Sequence, residues 1–376
     1  MNLDFSEEQE MLRKLARDFL DKECPKSLVR EMEDHSTTFD AGLWKKMAEL
    51  GWMGLIVPGR YGGSDGIFMD LVVLLEEMGR ACLVSPFLST VLCTLPILSL
   101  GSEEQKKKLL PSIAAGDTVL ALALTEPSAS YNAAGIATSA ALEKGKYILN
   151  GTKLFIQDAQ AAHYLLCAAR TRAWAAPEES ITLFLVPAQS RGITITHLDT
   201  IADDRQCEVL LQNVEVSQED VLGEVGRGWP AVERLLEQAA VAKCAEMLGG
   251  FDWTTENCVA YAKDRVQYGR PIGQFGIIQH YLADMWTEMN LAKRLTYYAA
   301  WHIEKGLPCA REVAMAKAWV SDSYRRCTRT GVQVYGGIGT TRDHDMGLYY
   351  RRARQAALLF GDPDSCRERV AQEIGL

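Results

Sequence analysis

The sequence has no long apolar run, no basic tract and no secretory signal, and each absence argues against a class of protein. No stretch of about 18 uncharged apolar residues occurs in the 376 residues, so no membrane span is expected. The N-terminal MNLDFSEEQE is acidic and lacks an apolar segment, which argues against a secretory signal. No Lys/Arg-rich run occurs and the net charge is −9, so no nucleic-acid partner is expected.

Metal-binding and common nucleotide-binding patterns are also missing. None of the ten cysteines forms a C-x-x-C pair or stands at metal-ligand spacing with histidine, so no metal site is predicted. The apolar surroundings of these cysteines predict buried, reduced thiols in a cytoplasmic protein. Walker A and G-x-S-x-G motifs are absent, and GGIG (336–339) lacks the third glycine and the strand-then-helix context of a dinucleotide fingerprint.

The patterns that are present change twice along the chain, from helical to β-rich and back. They predict an α+β protein with an N-terminal all-α domain over 1–117, a β-domain over 118–225 and a C-terminal helical domain over 226–376. The first and last domains have helical periodicity, and the last has long helices, as in a bundle. Predicted helices are Ala41–Leu50, Met69–Arg80, Ser89–Leu100, Glu103–Ala114, Pro230–Asp264, Gln274–Lys305, Cys309–Tyr335, Asp345–Leu359 and Pro363–Ile374.

Two local signals give sharper expectations. Ser6 with Gln9 has the spacing of a capping box, which predicts that a helix begins there. Asn150-Gly151 predicts a type I′ hairpin turn, because that turn needs positive φ at both central residues.

Glu246 is a charged residue in the apolar stretch VAKCAEMLGG (241–250). On the predicted helix 230–264 it falls on a stripe of apolar and small residues spaced for packing. One interpretation is a surface ion pair with Lys243, three residues earlier, which contributes little. The other is a desolvated carboxylate beside an apolar cavity, which suits proton abstraction. Periodicity alone slightly favours the ion pair.

Six separated stretches, in order along the chain, resemble the acyl-CoA dehydrogenase family. They are YGG (61–63), LTEPSAS (124–130), ILNGTKLFI (148–156), VLGEVGRGW (221–229), AYAKDRVQYGRPIGQF (260–275) and QVYGGIGTTRDHD (333–345). The resemblance covers essentially the whole chain. It implies an N-terminal helical domain, a central β-domain and a C-terminal four-helix-bundle domain.

The resemblance also implies an activity, a cofactor and partners. The family uses FAD to dehydrogenate acyl-CoA thioesters between Cα and Cβ: a carboxylate removes the α-proton and the β-hydride passes to the flavin. An electron-transfer flavoprotein is the implied electron acceptor. A tetramer is implied, either a homotetramer or an α2β2 heterotetramer.

The resemblance places cofactor-binding residues in three parts of the chain. Leu124, Thr125, Phe155 and Gln157 are expected to lie against the isoalloxazine. Arg265, Gln267 and Tyr268 are expected to reach the adenine-diphosphate half of FAD, in the family from a neighbouring subunit. Gln333, Gly336 and Gly337 complete that site, although the glycine pair is also typical of a helix C-cap.

Neither base position best known in the family holds an acid here, because Gly361 and Ala239 occupy them. In a branch that includes steroid side-chain and alicyclic acyl-CoA dehydrogenases, the base is the Glu of an A-E element, which corresponds to Glu246. Glu246 is therefore the predicted base. Asp362 is the alternative, although Asp362-Pro363 is also typical of a turn and helix cap.

Other departures bear on the substrate and on the alternative functions. Ser130-Tyr131 stands where the family has Gly-Ser at the CoA pyrophosphate, and Ala240 replaces an Arg that contacts CoA, for which Lys243 is a substitute candidate. The moved base and the small residues Ala239, Ala242, Gly249 and Gly250 predict a bulky, branched or cyclic acyl group. The departures also fit a non-catalytic subunit of an α2β2 assembly, and an acyl-CoA oxidase is a third possibility.

Overall fold

The computed structural model describes residues 5–34, 39–172 and 174–376. Its helices and strands follow the predicted order: helices, then strands, then helices again. The α+β fold class is confirmed. Within the described residues, no helix is long and apolar enough to cross a membrane. All ten cysteines lie in the described part of the chain and are buried free thiols, as predicted.

In the described residues, six α-helices precede the strands. They are α1 (Glu7–Glu23), α2 (Lys26–Asp34), α3 (Ala41–Glu49), α4 (Phe68–Ala81), α5 (Phe87–Leu100) and α6 (Glu103–Ala114). The predicted capping box is confirmed, because the Ser6 hydroxyl accepts from the Gln9 N–H and the Gln9 side chain accepts from the Ser6 N–H. Helix α2 was not predicted from the sequence.

Eight strands form one sheet. They are β1 (Leu120–Ala123), β2 (Ser139–Glu143), β3 (Lys146–Gln157), β4 (Tyr164–Arg170), β5 (Ile181–Pro187), β6 (Ile193–His197), β7 (Gln206–Ser217) and β8 (Val221–Leu222). Their order is β6-β7-β3-β2-β4-β5-β8, with β1 paired to β4. The β1–β4 and β2–β4 pairs are parallel and the others antiparallel. An apolar core that includes Leu149, Phe184 and Val209 fills one side of this sheet.

The predicted turn at Asn150-Gly151 is wrong. Both residues lie inside β3, where the register to β7 shifts between Leu149 and Gly151. The β2–β3 hairpin turns instead at Lys144-Gly145, whose φ angles of 48° and 83° are those of a type I′ turn. Gly151 answers a different need, because a Cβ there would lie 2.4 Å from the hydroxyl oxygen of Thr138.

The helices that follow the sheet lie within a few residues of their predicted bounds. They are α7 (Trp229–Asp264), α8 (Gly276–Glu304), α9 (Ala310–Tyr335), α10 (Met346–Ala356) and α11 (Pro363–Glu373). A short hairpin, β9 (Val266–Gln267) and β10 (Arg270–Pro271), separates α7 from α8.

The contacts divide the chain into two compact units, which are described separately below. The first unit contains the chain up to Glu31, Ile67–Leu83 and Glu237–Leu376. The second contains Met32–Gly66 and Val84–Leu236, and therefore the whole eight-stranded sheet.

Candidate active site

In the second unit, the predicted flavin-facing segments LTEP and FIQ lie side by side. The Leu154 N–H donates to the Thr125 carbonyl oxygen over 2.9 Å. A second irregularity in the β3–β7 register falls between Lys153 and Ile156, and it gives Phe155 a φ of 59°. Such a bulge redirects a side chain, and 44% of Phe155 is exposed. The structure therefore brings Thr125 and Phe155 together and presents an aromatic ring at the surface.

A buried ion pair joins these two segments. Lys153 Nζ donates to Glu126 Oε1 over 2.7 Å and to the carbonyl oxygens of Ala168 (2.7 Å) and Leu124 (3.3 Å). The side chains of Lys153 and Glu126 are 0% and 3% exposed. Sequence reasoning missed this pair. The sequence did contain a signal: Lys153 lies on the same face of its predicted strand as Gly151 and Phe155, which are not charged, and the LTEP motif contains an acid, Glu126.

Glu126 is held as a carboxylate by its surroundings. It also accepts hydrogen bonds from the main-chain N–H groups of Ala137 and Thr138. Burial acts to raise the pKa of Glu126, but the charge of Lys153 and these hydrogen bonds outweigh burial and hold the pKa below its ordinary value. The main chain of Leu124 and Thr125 is consequently fixed relative to β3.

Gln157, at the end of β3, is partly engaged within the second unit. Its amide nitrogen donates to Asp204 Oδ2 over 3.1 Å, and Asp204 Oδ1 accepts from the Thr200 hydroxyl over 2.6 Å. A side-chain amide carries two N–H donors, so Gln157 keeps the capacity for a second hydrogen bond.

Arg265, Gln267 and Tyr268, in the first unit, form an exposed site around the β9–β10 hairpin. Tyr268 and Gly269 have φ angles of 51° and 79°, so the hairpin closes in a type I′ turn. This turn holds Tyr268 94% exposed. Arg265 and Gln267 are also exposed, so the three side chains are presented outward, as for a ligand held outside this unit.

Gln333, Gly336 and Gly337 lie at the end of α9, close to that hairpin. Tyr261 lies four residues before Arg265 and Tyr335 directly before Gly336, and the centroids of their rings are 4.4 Å apart. The helix-cap interpretation of the glycines is confirmed, because Gly336 caps α9 with a φ of 68°. A Cβ at Gly336 or Gly337 would meet no described atom within 4 Å, so the main chain here is open to approach.

Glu246 interrupts a buried stretch of α7. In the described stretch from Ala239 to Asp252, every residue except Glu246 is buried. The Glu246 side chain is 31% exposed and its Oε2 accepts from Lys243 Nζ over 2.8 Å. The predicted ion pair with Lys243 is confirmed, but it is not a surface pair, because the Lys243 side chain is 4% exposed. Lys243 therefore does not present its ammonium to solvent, where a CoA contact was expected.

The small residues beside Glu246 do not leave room for a substrate, which corrects the sequence-based interpretation. A Cβ at Gly249 would lie 1.8 Å from the carbonyl oxygen of Glu76 on α4, and one at Gly250 would lie 2.1 Å from the Tyr324 hydroxyl. Gly79 likewise lies against the Glu246 carbonyl oxygen, at 1.8 Å from a Cβ. The glycines permit α4 and α7 to cross main chain against main chain, and helices fill the space above them.

Asp362, the alternative base, caps helix α11. Its Oδ1 accepts from the N–H groups of Asp364 (2.9 Å) and Ser365 (3.1 Å). Burial acts to raise the pKa of Asp362, but the hydrogen bonds from Ser365 and Asp364 outweigh burial and lower the pKa. The turn-and-cap interpretation of Asp362-Pro363 is thereby confirmed.

Ser130 and Tyr131, the candidates for a CoA contact, follow the LTEP segment in the second unit. Both are half-buried. The Ser130 hydroxyl oxygen accepts from the Asn132 N–H over 3.4 Å, a long local contact, and Ala129 before it has a φ of 53°. Both residues therefore sit in an irregular turn between β1 and β2.

Family models match almost the whole chain in three consecutive pieces. The acyl-CoA dehydrogenase N-terminal domain matches residues 6–117, the middle domain 121–214 and the C-terminal domain 226–375. The chain belongs to the acyl-CoA dehydrogenase family. It is accordingly an FAD-dependent oxidoreductase.

Individual acyl-CoA dehydrogenases and related reductases match this family member along its length. A 3-(aryl)acrylate reductase of Clostridium sporogenes is 34% identical over 376 residues, which cover 98% of this chain and 99% of the reductase. An acyl-CoA dehydrogenase of Bacillus subtilis is 35% identical over 366 residues, with 95% of both chains covered. The structure of butyryl-CoA dehydrogenase from Megasphaera elsdenii superimposes with a TM-score of 0.93 at 29% identity, covering all of both chains.

The groups present in this acyl-CoA dehydrogenase fit FAD. The second unit offers an exposed aromatic ring at Phe155, the Thr125 hydroxyl and a free amide N–H at Gln157, which suit a flat ring system with polar edges. The first unit offers the exposed Arg265, which suits a diphosphate, and the open main chain at Gly336-Gly337. The sequence-predicted cofactor residues thus form one group in each unit.

Proposed function

We propose that this chain interconverts a saturated acyl-CoA and its 2-enoyl-CoA, with Glu246 transferring the α-proton. The observation that carries the proposal is the position of Glu246 as the single partly exposed residue in the otherwise buried stretch 239–252. A carboxylate at the edge of an apolar surface is accessible to a ligand while remaining partly desolvated, which suits general-base catalysis.

The chain's own residues perform the binding and the proton transfer. Glu246 accepts the α-proton during oxidation and returns it during reduction. Leu124, Thr125, Phe155 and Gln157 hold the isoalloxazine, and Lys153 with Glu126 fixes the main chain of these segments. When bound, FAD supplies the acceptor for the β-hydrogen and its electron pair.

Glu246 is favoured over Asp362 because of what each carboxylate already binds. Two main-chain N–H groups occupy Asp362 Oδ1, and their loss would uncap α11. Among the described residues, Glu246 accepts a hydrogen bond from Lys243 on Oε2, which leaves Oε1 for a substrate hydrogen. Ala239 and Gly361, at the other two positions, carry no acid.

The partners are proposed on the same basis. We infer an electron-transfer flavoprotein as the redox partner, since a 33% identical relative is named as a subunit of a caffeyl-CoA reductase–Etf complex of Acetobacterium woodii. Arg265, Gln267, Tyr268, Gln333, Gly336 and Gly337 are proposed to reach the FAD of a neighbouring subunit in a tetramer. Their outward presentation supports this. A cytoplasmic location stays a prediction of the sequence.

The acyl group is the least determined part of the proposal. A bulky, branched or cyclic group stays a prediction, now without the support of the small residues next to Glu246, which serve helix packing. Relatives are named for an aryl acrylate and for acryloyl-CoA, and both are named as reductases. A panel of CoA thioesters that tests the substrate should therefore include short-chain, aryl and alicyclic acyl groups, in saturated and 2-enoyl forms.

The second candidate function is a non-catalytic subunit of an α2β2 assembly. Tyr131, Gln157 and Ala240 favour it. Tyr131 and Ala240 stand at the departures in the CoA-contacting positions, and Gln157 stands where the family usually has a Thr that bonds the flavin. This subunit is expected to purify without bound flavin unless it is co-expressed with a second family member. In an acyl-CoA oxidase, oxygen reoxidises the reduced flavin. Adding oxygen to the same preparation after bleaching therefore distinguishes an oxidase from a dehydrogenase.

The decisive experiment is to purify the chain alone, record its visible spectrum and add the thioester panel without oxygen. Bleaching of the flavin band by one thioester supports the dehydrogenase. A colourless chain that FAD cannot reconstitute supports the partner subunit.

The Glu246→Gln variant tests the base. We expect it to keep FAD and to bleach at least about a hundredfold more slowly. Glu256→Gln, at an exposed acid on the same helix, is the matched control and should bleach at the normal rate. Substantial activity in Glu246→Gln would transfer the role to Asp362 or to another group.

A further inference from the structure

Lys243 is an unusual lysine because its whole side chain is buried on the same helix as the proposed base. It lies between Ala242 and Cys244, both fully buried, and its own side chain is 4% exposed. Its ammonium donates to Glu246 Oε2 over 2.8 Å. A buried ammonium is costly without a counter-charge, so this contact is a strong constraint on both side chains.

We propose that Lys243 is the positioning residue of Glu246: it holds one carboxylate oxygen and leaves Oε1 to face the substrate hydrogen. This inference rests on the proposed function of Glu246. It assigns Lys243 to the proton-transfer step rather than to the CoA moiety.

The ion pair fixes the direction of the Glu246 carboxylate. The buried Lys243 ammonium is compensated only while it stays in contact with Glu246 Oε2, so the pair limits rotation of the carboxylate. Without the ammonium, the carboxylate should adopt several orientations, of which only some present an oxygen to the substrate hydrogen. Removing Lys243 should therefore slow proton transfer.

Two groups on α9 interact electrostatically with this pair: Lys317 with Lys243, and Tyr324 with Glu246. Lys317 is itself a fully buried lysine, but its ammonium donates to the Ser321 hydroxyl and to the carbonyl oxygens of Ala356 and Ala357. A variant of Lys317 is therefore the matched control.

The test is anaerobic flavin bleaching by the substrate, with the rate constant at saturation and the substrate affinity measured separately. In Lys243→Met, the rate constant should fall by about a hundredfold, the cost of a displaced catalytic group, while the substrate affinity stays near that of the wild type. Lys243→Arg keeps the charge and should keep most of the rate constant. Lys317→Met removes a buried ammonium that binds other groups and should keep the wild-type rate constant. A wild-type rate constant in Lys243→Met, or an equal loss in Lys317→Met, would overturn the proposal.

A stability measurement without substrate gives a second, independent readout. Glu246→Ala leaves the Lys243 ammonium buried and unpaired, so we expect a clear drop in Tm. Adding Lys243→Met removes that ammonium, and the double variant should recover at least half of the drop. Losses that simply add would show that the two side chains are not coupled, and would contradict the proposal even if Lys243→Met is too unstable to assay.

The two experiments separate failure of this inference from failure of the proposed function. If Glu246→Gln stays active, the base is elsewhere and both proposals fall. If Glu246→Gln is inactive while Lys243→Met keeps the wild-type rate constant, Glu246 remains the proposed base and only the role of Lys243 is refuted.

Discussion

Replacing Lys153 with Met should destabilise the β-sheet unit strongly. The substitution keeps a long apolar side chain but removes an ammonium that is fully buried and bound to Glu126 Oε1, Leu124 O and Ala168 O. Breaking a buried ion pair from one side costs about 3–5 kcal/mol, because the other charge is left uncompensated. Glu126 keeps its hydrogen bonds from Ala137 and Thr138, so we expect a loss near the lower end, about 3 kcal/mol.

The loss should also depend on pH in a defined direction. In the native protein, the pKa of Glu126 is held below its ordinary value, so its stabilising contribution is present above that value and disappears as the pH falls. Without Lys153, Glu126 can escape its unpaired charge by taking up a proton. The destabilisation caused by Lys153→Met should therefore be larger at pH 7.5 than at pH 5.

The assay is urea unfolding of the wild-type and variant chains at both pH values, followed by a probe of the sheet. Lys146→Met is the matched control, because Lys146 lies on the same strand and binds Glu215 at the same 2.7 Å distance, but both side chains are exposed. Its unfolding should stay close to that of the wild type. If Lys153→Met were as stable as Lys146→Met, the conclusion that Lys153 fixes the LTEP segment against β3 would be refuted.

Two further predictions concern the first unit. Gly249→Ala should lower the unfolding free energy by about 3 kcal/mol or more, because the new Cβ would lie 1.8 Å from the Glu76 carbonyl oxygen. The control is Gly276→Ala, which should cost nothing because a Cβ there would meet no described atom within 4 Å. Equal melting temperatures of the two variants would contradict this prediction. Burial raises the pKa of Asp252 from 3.8 to about 6, so the native state keeps its proton longer than the unfolded state and loses stability as pH rises through 6. Asp252→Asn lacks that loss and should gain stability on the order of 1 kcal/mol relative to wild type between pH 5 and pH 7. A difference in unfolding free energy that is the same at both pH values, measured by urea unfolding, would refute this.

The sequence predicted the fold class and most helices because those depend on short-range patterns. The bounds of α6 were predicted without error, and those of α7 to within one residue, since caps and periodicity are local. The Asn150-Gly151 turn was wrong for a non-local reason. Gly151 is needed where Thr138 approaches β3, and the real turn at Lys144-Gly145 carries a weaker signal.

The candidate site shows the same division between local and distant causes. The residues expected to hold FAD could be placed from motifs, and the Ser6 and Asp362 caps from their spacing. The Lys153–Glu126 pair could not be predicted by spacing, because the partners are 27 residues apart and meet only through strand pairing. Folding, not local pattern, determines that contact.

The Lys243–Glu246 pair shows why local prediction was insufficient at the proposed base. Three-residue spacing on a helix predicts the contact but says nothing about solvent, and an exposed pair would contribute little to stability or to catalysis. The crossing of α4 and α7 at Gly79 and Gly249 supplies the missing information. Because that crossing brings main chain against main chain, α7 is buried there, and Glu246 alone is partly exposed along residues 239–252. The glycines therefore bear on the proposed proton transfer through burial rather than by leaving room for a substrate.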